Sequence, residues 1–252
     1  MSKDVIGTDS RYYRSTGNLV LGILSDAHGN TGAFLLAISI LRQLEINRYI
    51  FLGDAIGYIP DVGVVSALRS DTLDNECVRG NHEDMLLGGR DYRDKDDLYK
   101  LDLAKELLPK EDYDYIKSWP RFLNKVCNGL KVLYIHGSPD EVTYGYVYPD
   151  TSLESFRIPH DIVFMGNTHR PFVRHIAAKT FVNVGSCGFP RDDGRYGSMA
   201  LFDPTTPSVR IVRFDISDAT ESTIGGLKNI HPAVLEVFSR RLPRCSLIGE
   251  LL

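Results

Sequence analysis

The first third of the chain alternates between short apolar runs and segments in which apolar positions recur at helical spacing. Residues 19–24 are a continuous apolar run of strand length, and residues 48–52 and 76–79 predict two further strands. Between the first two, residues 34–44 carry apolar side chains on one helical face, and residues 62–68 predict a second, shorter helix. Strands and helices therefore alternate in this part of the chain.

The tract of residues 83–120 has a different character because it is rich in charged residues. Residues 90–95 alternate in the sign of their charge, and Leu98, Leu101 and Leu108 follow at near-helical spacing. Prolines punctuate the tract and mark helix boundaries. We interpret it as two or three helices, inserted as a cover over the mouth of a site that other segments build.

Short strands with turn signals dominate the second half of the chain. A helix is predicted from Pro232 within a C-terminal extension of residues 216–252, and residues 1–17 are expected to be a polar leader. Early alternation combined with later short strands predicts an α/β (α+β) fold: one domain over residues 1–252, with two mixed sheets face to face and helices outside. The later predicted strands are residues 122–126, 130–135, 161–165, 172–176, 181–184, 198–202 and 209–214.

Five polar motifs follow the ends of apolar runs, where the carboxyl ends of strands gather ligand sites. Their carboxylate, imidazole and amide groups suit hard and borderline divalent ions, and two such ions side by side suit phosphoester hydrolysis. Three further histidines, His160, His175 and His231, lie outside the motifs and are interpreted as surface or core residues. The motifs are Ser25-Asp26-Ala27-His28-Gly29-Asn30, Gly53-Asp54, Gly80-Asn81-His82-Glu83, His136-Gly137-Ser138-Pro139 and Gly166-Asn167-Thr168-His169.

Composition narrows the class of protein without naming a function. The chain is 43% hydrophobic and 25% charged, which is ordinary for a globular protein, and its net charge of −4 argues against binding long nucleic acids. Its four cysteines are scattered, which favours reduced thiols in the cytoplasm over a disulfide framework. The sequence contains no apolar run of membrane-spanning length, so no membrane partner is expected.

The order of the motifs, D-x-H, G-D, G-N-H-E, H-G and G-x-T-H, resembles that of the calcineurin-like metallophosphoesterases. The resemblance extends over residues 18–215 and is greatest to short prokaryotic members of the family; residues 53–58 and 183–186 are also similar to family patterns. It implies a four-layer α-β-β-α sandwich with a dinuclear centre at the sheet edge. The metals implied are divalent: Mn²⁺, or Fe, Zn or Ni in its place.

Matching each motif to the family pattern assigns the expected ligands. By resemblance, the first metal is held by Asp26, His28 and His169, and the second by Asn81 and His136. Asp54 would bridge the two ions, whose usual separation of about 3.5–4 Å lets them share and activate a water as hydroxide.

Asn167 departs from the family pattern, which has histidine at this position. An amide oxygen is a poorer donor than imidazole for Zn²⁺ or Mn²⁺, so we expect the second metal to bind more weakly than the first.

The catalytic roles combine this resemblance with the chemistry of the side chains. A planar guanidinium suits the non-bridging oxygens of phosphate, a role for Arg79, and His82 can protonate the leaving oxygen. Asp54 either bridges the metals or orients His82, and the residues alone do not separate these roles. Asn81 and His82 are also expected to contact the substrate.

Other side chains near the motifs are weaker candidates for substrate binding. Tyr58, Tyr144 and Tyr146 could stack on the base of a nucleotide. Arg191 and Arg195 are interpreted as residues of a solvated loop.

These features predict a metal-dependent hydrolase acting on a small phosphorylated molecule, as mono- or diester, with nucleotides included. One alternative is a phosphoprotein phosphatase of the Ser/Thr type, because residues 79–83 also match that branch. Another is a non-catalytic scaffold that keeps the fold for protein binding.

Overall fold

The computed structural model describes residues 20–252, so the leader expected at residues 1–17 lies outside the described part of the chain. The described strands, in chain order, are β1 (Leu21–Leu24), β2 (Arg48–Phe51), β3 (Asp74–Cys77), β4 (Phe122–Cys127), β5 (Leu130–Ile135), β6 (Ile162–Met165), β7 (Phe172–Ile176), β8 (Lys179–Asn183), β9 (Tyr196–Asp203), β10 (Ser208–Asp215) and β11 (Glu250–Leu251). The α-helices of the same residues are α1 (Thr31–Gln43), α2 (Gly63–Ser70), α3 (Asn81–Leu86), α4 (Asp96–Tyr99), α5 (Leu101–Leu107), α6 (Lys110–Ser118), α7 (Ser217–Ile224) and α8 (Pro232–Ser239).

The strands form two mixed sheets. The first has the order β11-β10-β9-β1-β2-β3, and the second has the order β4-β5-β6-β8-β7. Strands β1, β2 and β3 are mutually parallel, as are β5, β6 and β8, so within each sheet these strands end at the same edge. The predicted α/β class, with two mixed sheets and flanking helices, is confirmed.

Side chains along the central strands point alternately to the two faces of each sheet, and the buried ones form separate layers of the core. Ile23 and Ile50 of the first sheet pack with Tyr134 and Phe164 of the second in one buried cluster between the sheets. Intervening residues such as Phe51 face the opposite side, where the helices pack against the first sheet. Side chains two residues apart share a face of a strand, so one apolar run can serve both layers.

The outer face of the second sheet is covered differently from that of the first. Leu133, Val163 and Phe181 of this sheet are buried against Val147 and Leu153, which belong to the segment between β5 and β6. This segment contains turns and bends rather than a helix. Coil therefore supplies the layer outside the second sheet.

Predicted boundaries agree with the observed elements to within about three residues in most of the chain. Three α-helices, α4 to α6, lie wholly within the charge-rich tract, where two or three were predicted, and α3 begins two residues before it. The C-terminal extension adds α7 and strand β11, which the sequence did not indicate, besides the predicted α8. None of the helices between residues 20 and 252 has the length and apolarity that crossing a membrane requires.

Candidate metal centre

The predicted ligands converge at the edge where the central strands of both sheets end. Asp26 and His28 follow β1, and Asp54 follows β2. The other candidates are Asn81 at the first residue of α3, His136 after β5, and Asn167 and His169 after β6. All seven are buried.

One group of ligand atoms comprises Asp26, His28 and His169. His169 Nε2 lies 3.3 Å from Asp26 Oδ1 and 3.2 Å from His28 Nε2, and the His28 nitrogen lies 3.8 Å from the same carboxylate oxygen. Within residues 20–252, Asp26 Oδ1 is buried and has no hydrogen-bond partner. Buried polar atoms are normally satisfied, so this oxygen is available to a cation. The three residues fit a metal ion.

A second group surrounds one oxygen of Asp54. Its Oδ2 lies 3.3 Å from His136 Nε2, 3.5 Å from His28 Nε2 and 4.0 Å from His82 Nε2. Asn81 Oδ1 is 2.9 Å from His136 Nε2. Asp54 therefore faces His28 of the first group as well as His136 of the second, which is the position that a bridging carboxylate requires.

Three of these histidines are anchored through the ring nitrogen that faces away from the carboxylates. The Nδ1–H of His28 donates to the carbonyl oxygen of Ile56 at 3.1 Å. The Nδ1–H of His136 donates to that of Leu52 at 2.8 Å, and the Nδ1–H of His169 to that of Phe189 at 2.5 Å. A carbonyl can only accept, so Nδ1 carries a proton in each ring. When such a ring is neutral, the lone pair of its Nε2 points into the cluster of ligand atoms, as in metal-binding histidines.

His82 lacks an anchor of this kind. Its Nδ1 is buried without a hydrogen-bond partner in the described part of the chain, and its ring packs 4.8 Å from the ring of Tyr99 and 4.9 Å from that of Tyr58. Its backbone N–H donates to Asp54 Oδ1 at 2.9 Å. Gly57 lies directly against this ring, and a side chain at that position would collide with it. His82 therefore lies beside the candidate ligands, but no hydrogen bond from its Nδ1 fixes its ring as in the three anchored histidines.

The backbone at the site adopts a conformation that costs energy. Positive φ angles occur at Asp26 (58°), His28 (49°), Asp54 (57°), Asn167 (63°) and His169 (56°). Asp, Asn and His tolerate this left-handed region better than most residues, but each instance still costs on the order of 1–3 kcal/mol. Such strain persists where surrounding structure imposes it, and it is concentrated here at the candidate ligands.

Charges at the site favour a cation. Burial raises the pKa of Asp26 to about 7. Burial would also raise the pKa of Asp54, but the neighbouring His136 helps to hold it below its usual range. Burial alone would lower the pKa of His136, yet Asp54 and Asp26 raise it to about 10. The pKa values of His28 and His169 lie well below normal, chiefly through burial. A divalent ion would supply the positive charge that this arrangement attracts.

Glu83 supports the site although the sequence pattern assigned it no role. Its buried carboxylate accepts backbone N–H bonds from Asp54 (2.8 Å), Ala55 (2.7 Å) and Gly80 (2.9 Å). Its side chain therefore ties the loop after β2 to the start of α3. The sequence did contain a signal for this role, namely the glutamate of the G-N-H-E motif, because a glutamate near the start of a helix commonly accepts backbone N–H bonds.

Arg79 does not have the surroundings expected of a phosphate-binding group. Its Nη2 donates to the carbonyl oxygens of Lys117 (3.2 Å) and Trp119 (3.3 Å), and its Nη1 lies 3.5 Å from Asp84 Oδ1. These contacts connect β3 to the end of α6. The geometry therefore favours a structural role for Arg79 over the one expected from its place in the motif.

Arg191 has the surroundings that were expected of Arg79. Its Nη2 donates to the hydroxyl of Tyr58 at 2.9 Å, and its charge helps to lower the pKa values of His28, His82 and His169. The sequence predicted that Arg191 lies in a solvated loop. Only the long-range packing of the loop after β8 shows its proximity to the metal centre.

The loop that carries Arg191 is held firmly by the next residue. The carboxylate of Asp192 accepts two bonds from the guanidinium of Arg213, at 2.6 and 3.0 Å, and Arg213 is only 1% exposed. Arg195, in contrast, pairs with Asp193 at 2.8 Å. The two loop arginines therefore differ: Arg191 faces the site, whereas Arg195 braces its own loop.

The remaining histidines have other surroundings. His160 Nε2 lies 2.8 Å from Asn124 Oδ1, and exposed His175 lies beside Thr180. His231 accepts a backbone N–H bond at the start of α8. Their contacts agree with the interpretation of these three as surface or structural residues.

Comparison with known proteins identifies the family. Residues 19–206, most of the chain, match the calcineurin-like phosphoesterase superfamily domain. The chain therefore belongs to the calcineurin-like phosphoesterase superfamily, and the predicted family membership is confirmed. An uncharacterized protein of Methanocaldococcus jannaschii, MJ0912, is 27% identical over 225 residues, covering 81% of this chain and 92% of that protein.

Two solved structures share the fold. The hypothetical protein PH1004 of Pyrococcus horikoshii OT3 has a TM-score of 0.77 at 22% identity, over 87% of this chain and 97% of that one. A metallophosphoesterase from Sphaerobacter thermophilus has a TM-score of 0.67 at 23% identity, over 88% of this chain and 99% of that one. At these identities the similarity concerns the fold.

Proposed function

We propose that the protein is a metal-dependent hydrolase that acts on the phosphoester of a small molecule. The observation that carries the proposal is the position of Asp54 Oδ2, which faces His28, His136 and His82 within 4.0 Å. One carboxylate oxygen shared by two groups of ligands is the arrangement that a pair of divalent ions needs.

The ligand groups assign the residues that would hold each ion. Asp26, His28 and His169 would hold the first, and Asn81 and His136 the second, with Asp54 between them. Asn167 would bind the second ion through its amide oxygen, because its Nδ2 donates to the carbonyl oxygen of Gly145 at 2.8 Å. When bound, divalent ions in such a site lower the pKa of a coordinated water and offset charge on the phosphate.

Arg191 would bind the phosphate group. A guanidinium held by Tyr58 and a rigid loop can donate two parallel N–H bonds to phosphate oxygens without being reordered first. Tyr58 therefore acts here as a positioning residue, in place of the base-stacking role expected from the sequence.

His82 would donate a proton to the leaving oxygen. Burial lowers the pKa of its imidazole to about 4, although Asp54 partly opposes this shift. The negative charge of a bound phosphate would raise that pKa again, because it favours the protonated ring. Proton donation would therefore depend on the bound substrate.

The test is metal analysis followed by an activity assay on the full chain. We expect the purified protein to contain a divalent metal, to hydrolyse nitrophenyl phosphate or bis-nitrophenyl phosphate with added Mn²⁺, and to lose the activity after chelation. Protein that binds metal but hydrolyses neither ester would contradict the proposal. A preference for phosphopeptides over both esters would instead favour a phosphoprotein phosphatase.

A further inference from the structure

A cavity adjoins the candidate metal centre. It has a volume of about 290 Å³, and Asn81, a candidate metal ligand, forms part of its lining. Tyr99 lies at the boundary between the two, because its ring packs 4.8 Å from the imidazole of His82 and also lines the cavity. A molecule bound here would have one end at the metal centre and the other between the helical tract and the segment after β5.

Four tyrosines form part of the lining, beside charged and polar side chains. These are Tyr92, Tyr99, Tyr144 and Tyr146. The hydroxyl of Tyr144 donates to Asp84 Oδ2 at 2.8 Å, which fixes its ring. Tyrosines from the helical tract and from the segment after β5 thus offer apolar ring surfaces on both sides of the cavity.

Tyr146 is the residue of this lining whose ring is most open to a ligand. Its side chain is 53% exposed, so much of its apolar surface is not covered by the protein. Tyr146 and Asn81, a candidate metal ligand, line the same cavity, so a single small substrate can contact both.

The charges of the lining are balanced. Arg90 lies over the Tyr144 ring, 3.7 Å from its centroid, and Lys95 lies 5.8 Å from the centroid of Tyr99. The carboxylates of Asp91 and Asp94 line the same cavity. Two cations opposed by two carboxylates give no net attraction for a further phosphate, but carboxylates can accept hydrogen bonds from hydroxyl or amino groups.

We infer that this cavity binds the nucleoside part of a nucleotide substrate, with its base against the tyrosines and its phosphoester at the metal centre. The inference rests on the proposed phosphoesterase function and names its substrate class. A neutral, planar group that carries hydroxyls matches aromatic walls with balanced charge. The volume lies at the lower end of the range for small-molecule sites, about 300–1,000 Å³, which suits a single nucleoside rather than an oligonucleotide.

The binding test does not depend on catalysis. Saturation-transfer NMR with adenosine, guanosine, cytidine and uridine, each added to the full chain, should show transfer to the base protons of at least one nucleoside. Tyr146→Ala should weaken its binding roughly 10-fold, since stacking of a base on an aromatic side chain supports a change of this size. Leu107→Ala is the control, because Leu107 is also a large exposed side chain but does not line the cavity. Tyr148 is unsuitable, because its ring stacks on that of Tyr146 with centroids 6.1 Å apart.

The kinetic test compares kcat/KM for the phosphoesters of these nucleosides with kcat/KM for glycerol phosphate. Tyr146→Ala should lower the ratio of the nucleotide value to the glycerol phosphate value roughly 10-fold, and Leu107→Ala should preserve it. Hydrolysis of glycerol phosphate without binding of any nucleoside, or equal loss on both substrates in Tyr146→Ala, would overturn the inference. Nucleoside binding that depends on Tyr146, in a protein that hydrolyses no ester, would support the binding site and refute the proposed function.

Discussion

The carboxylate of Glu83 accepts the backbone N–H of Asp54 at 2.8 Å, so a residue of the helical tract holds the central carboxylate of the candidate metal centre in place. The same carboxylate accepts N–H bonds from Ala55 and Gly80. Asp54 has a positive φ of 57°, a conformation that needs support from its surroundings. The position of Asp54, the carboxylate proposed to bridge two metals, therefore depends on a buried glutamate nearly thirty residues later in the chain.

Glu83→Gln should destabilise the protein and weaken metal binding together. An amide group has one oxygen to accept hydrogen bonds, so its NH₂ would face a backbone N–H. The unfavourable contact should lower the free energy of unfolding by about 1–3 kcal/mol, measured by urea unfolding. Glu106→Gln, on the exposed face of α5, is the matched control. Unchanged stability and unchanged metal affinity in Glu83→Gln would contradict this role.

Asp54→Asn should abolish turnover and lower metal occupancy. The amide can still accept the His82 N–H bond through its oxygen, but its NH₂ would then point at the histidine nitrogens and carry no negative charge to offset two cations. Metal content by elemental analysis and activity with Mn²⁺ measure the two effects. Near wild-type activity in metal-replete buffer would exclude a dinuclear mechanism; the exposed Asp140→Asn provides the control.

His82→Ala should separate metal binding from proton transfer. We expect both metals to remain while kcat falls by about 10²–10⁴, the usual contribution of a general acid. The loss should be smaller for nitrophenyl esters, because nitrophenolate leaves without a proton. His82 Nε2 lies 4.0 Å from Asp54 Oδ2, so loss of metal from the variant would show instead that His82 is a ligand.

Arg191→Ala should impair substrate binding far more than Arg195→Ala or Arg79→Ala. A hydrogen bond to a charged group contributes about 1.5–3 kcal/mol, which predicts a loss in kcat/KM of roughly 10- to 100-fold for Arg191→Ala. Arg195 pairs with Asp193, and Arg79 with backbone carbonyls, so their variants should mainly affect stability. Equal kinetic losses in Arg191→Ala and Arg79→Ala would argue against the assignment.

Asn167→His should tighten the weaker metal. In the natural chain we expect one tight and one looser ion, because an amide oxygen is a poorer donor than imidazole. The substitution should lower the Mn²⁺ concentration needed for half-maximal rate, and isothermal titration should show the looser site gaining affinity. Two sites of equal affinity in the natural protein, unchanged by Asn167→His, would rule out this explanation.

The sequence by itself determined most of the elements, the fold class and, through its motifs and their family resemblance, the candidate ligands. Apolar runs identified strands such as β1 and β5, and polar motifs at their ends identified residues such as Asp26 and His136, because parallel strands end at one edge. These signals are local: each depends on a few consecutive residues and on the known geometry of strands. The departure at Asn167 was visible for a different reason, because the family that the motifs resemble has histidine at this position.

Only the tertiary structure decided which arginine faces the site and what holds the ligands in place. Arg79 lies in the most specific motif but bonds to the end of α6, whereas Arg191 comes from an unremarkable loop and reaches Tyr58. Side-chain direction at such positions depends on loops packed from distant parts of the chain, such as the one braced by Arg213 and Asp192. Periodicity and local motifs contain no information about contacts of this range, so the fold had to be formed before they could be seen.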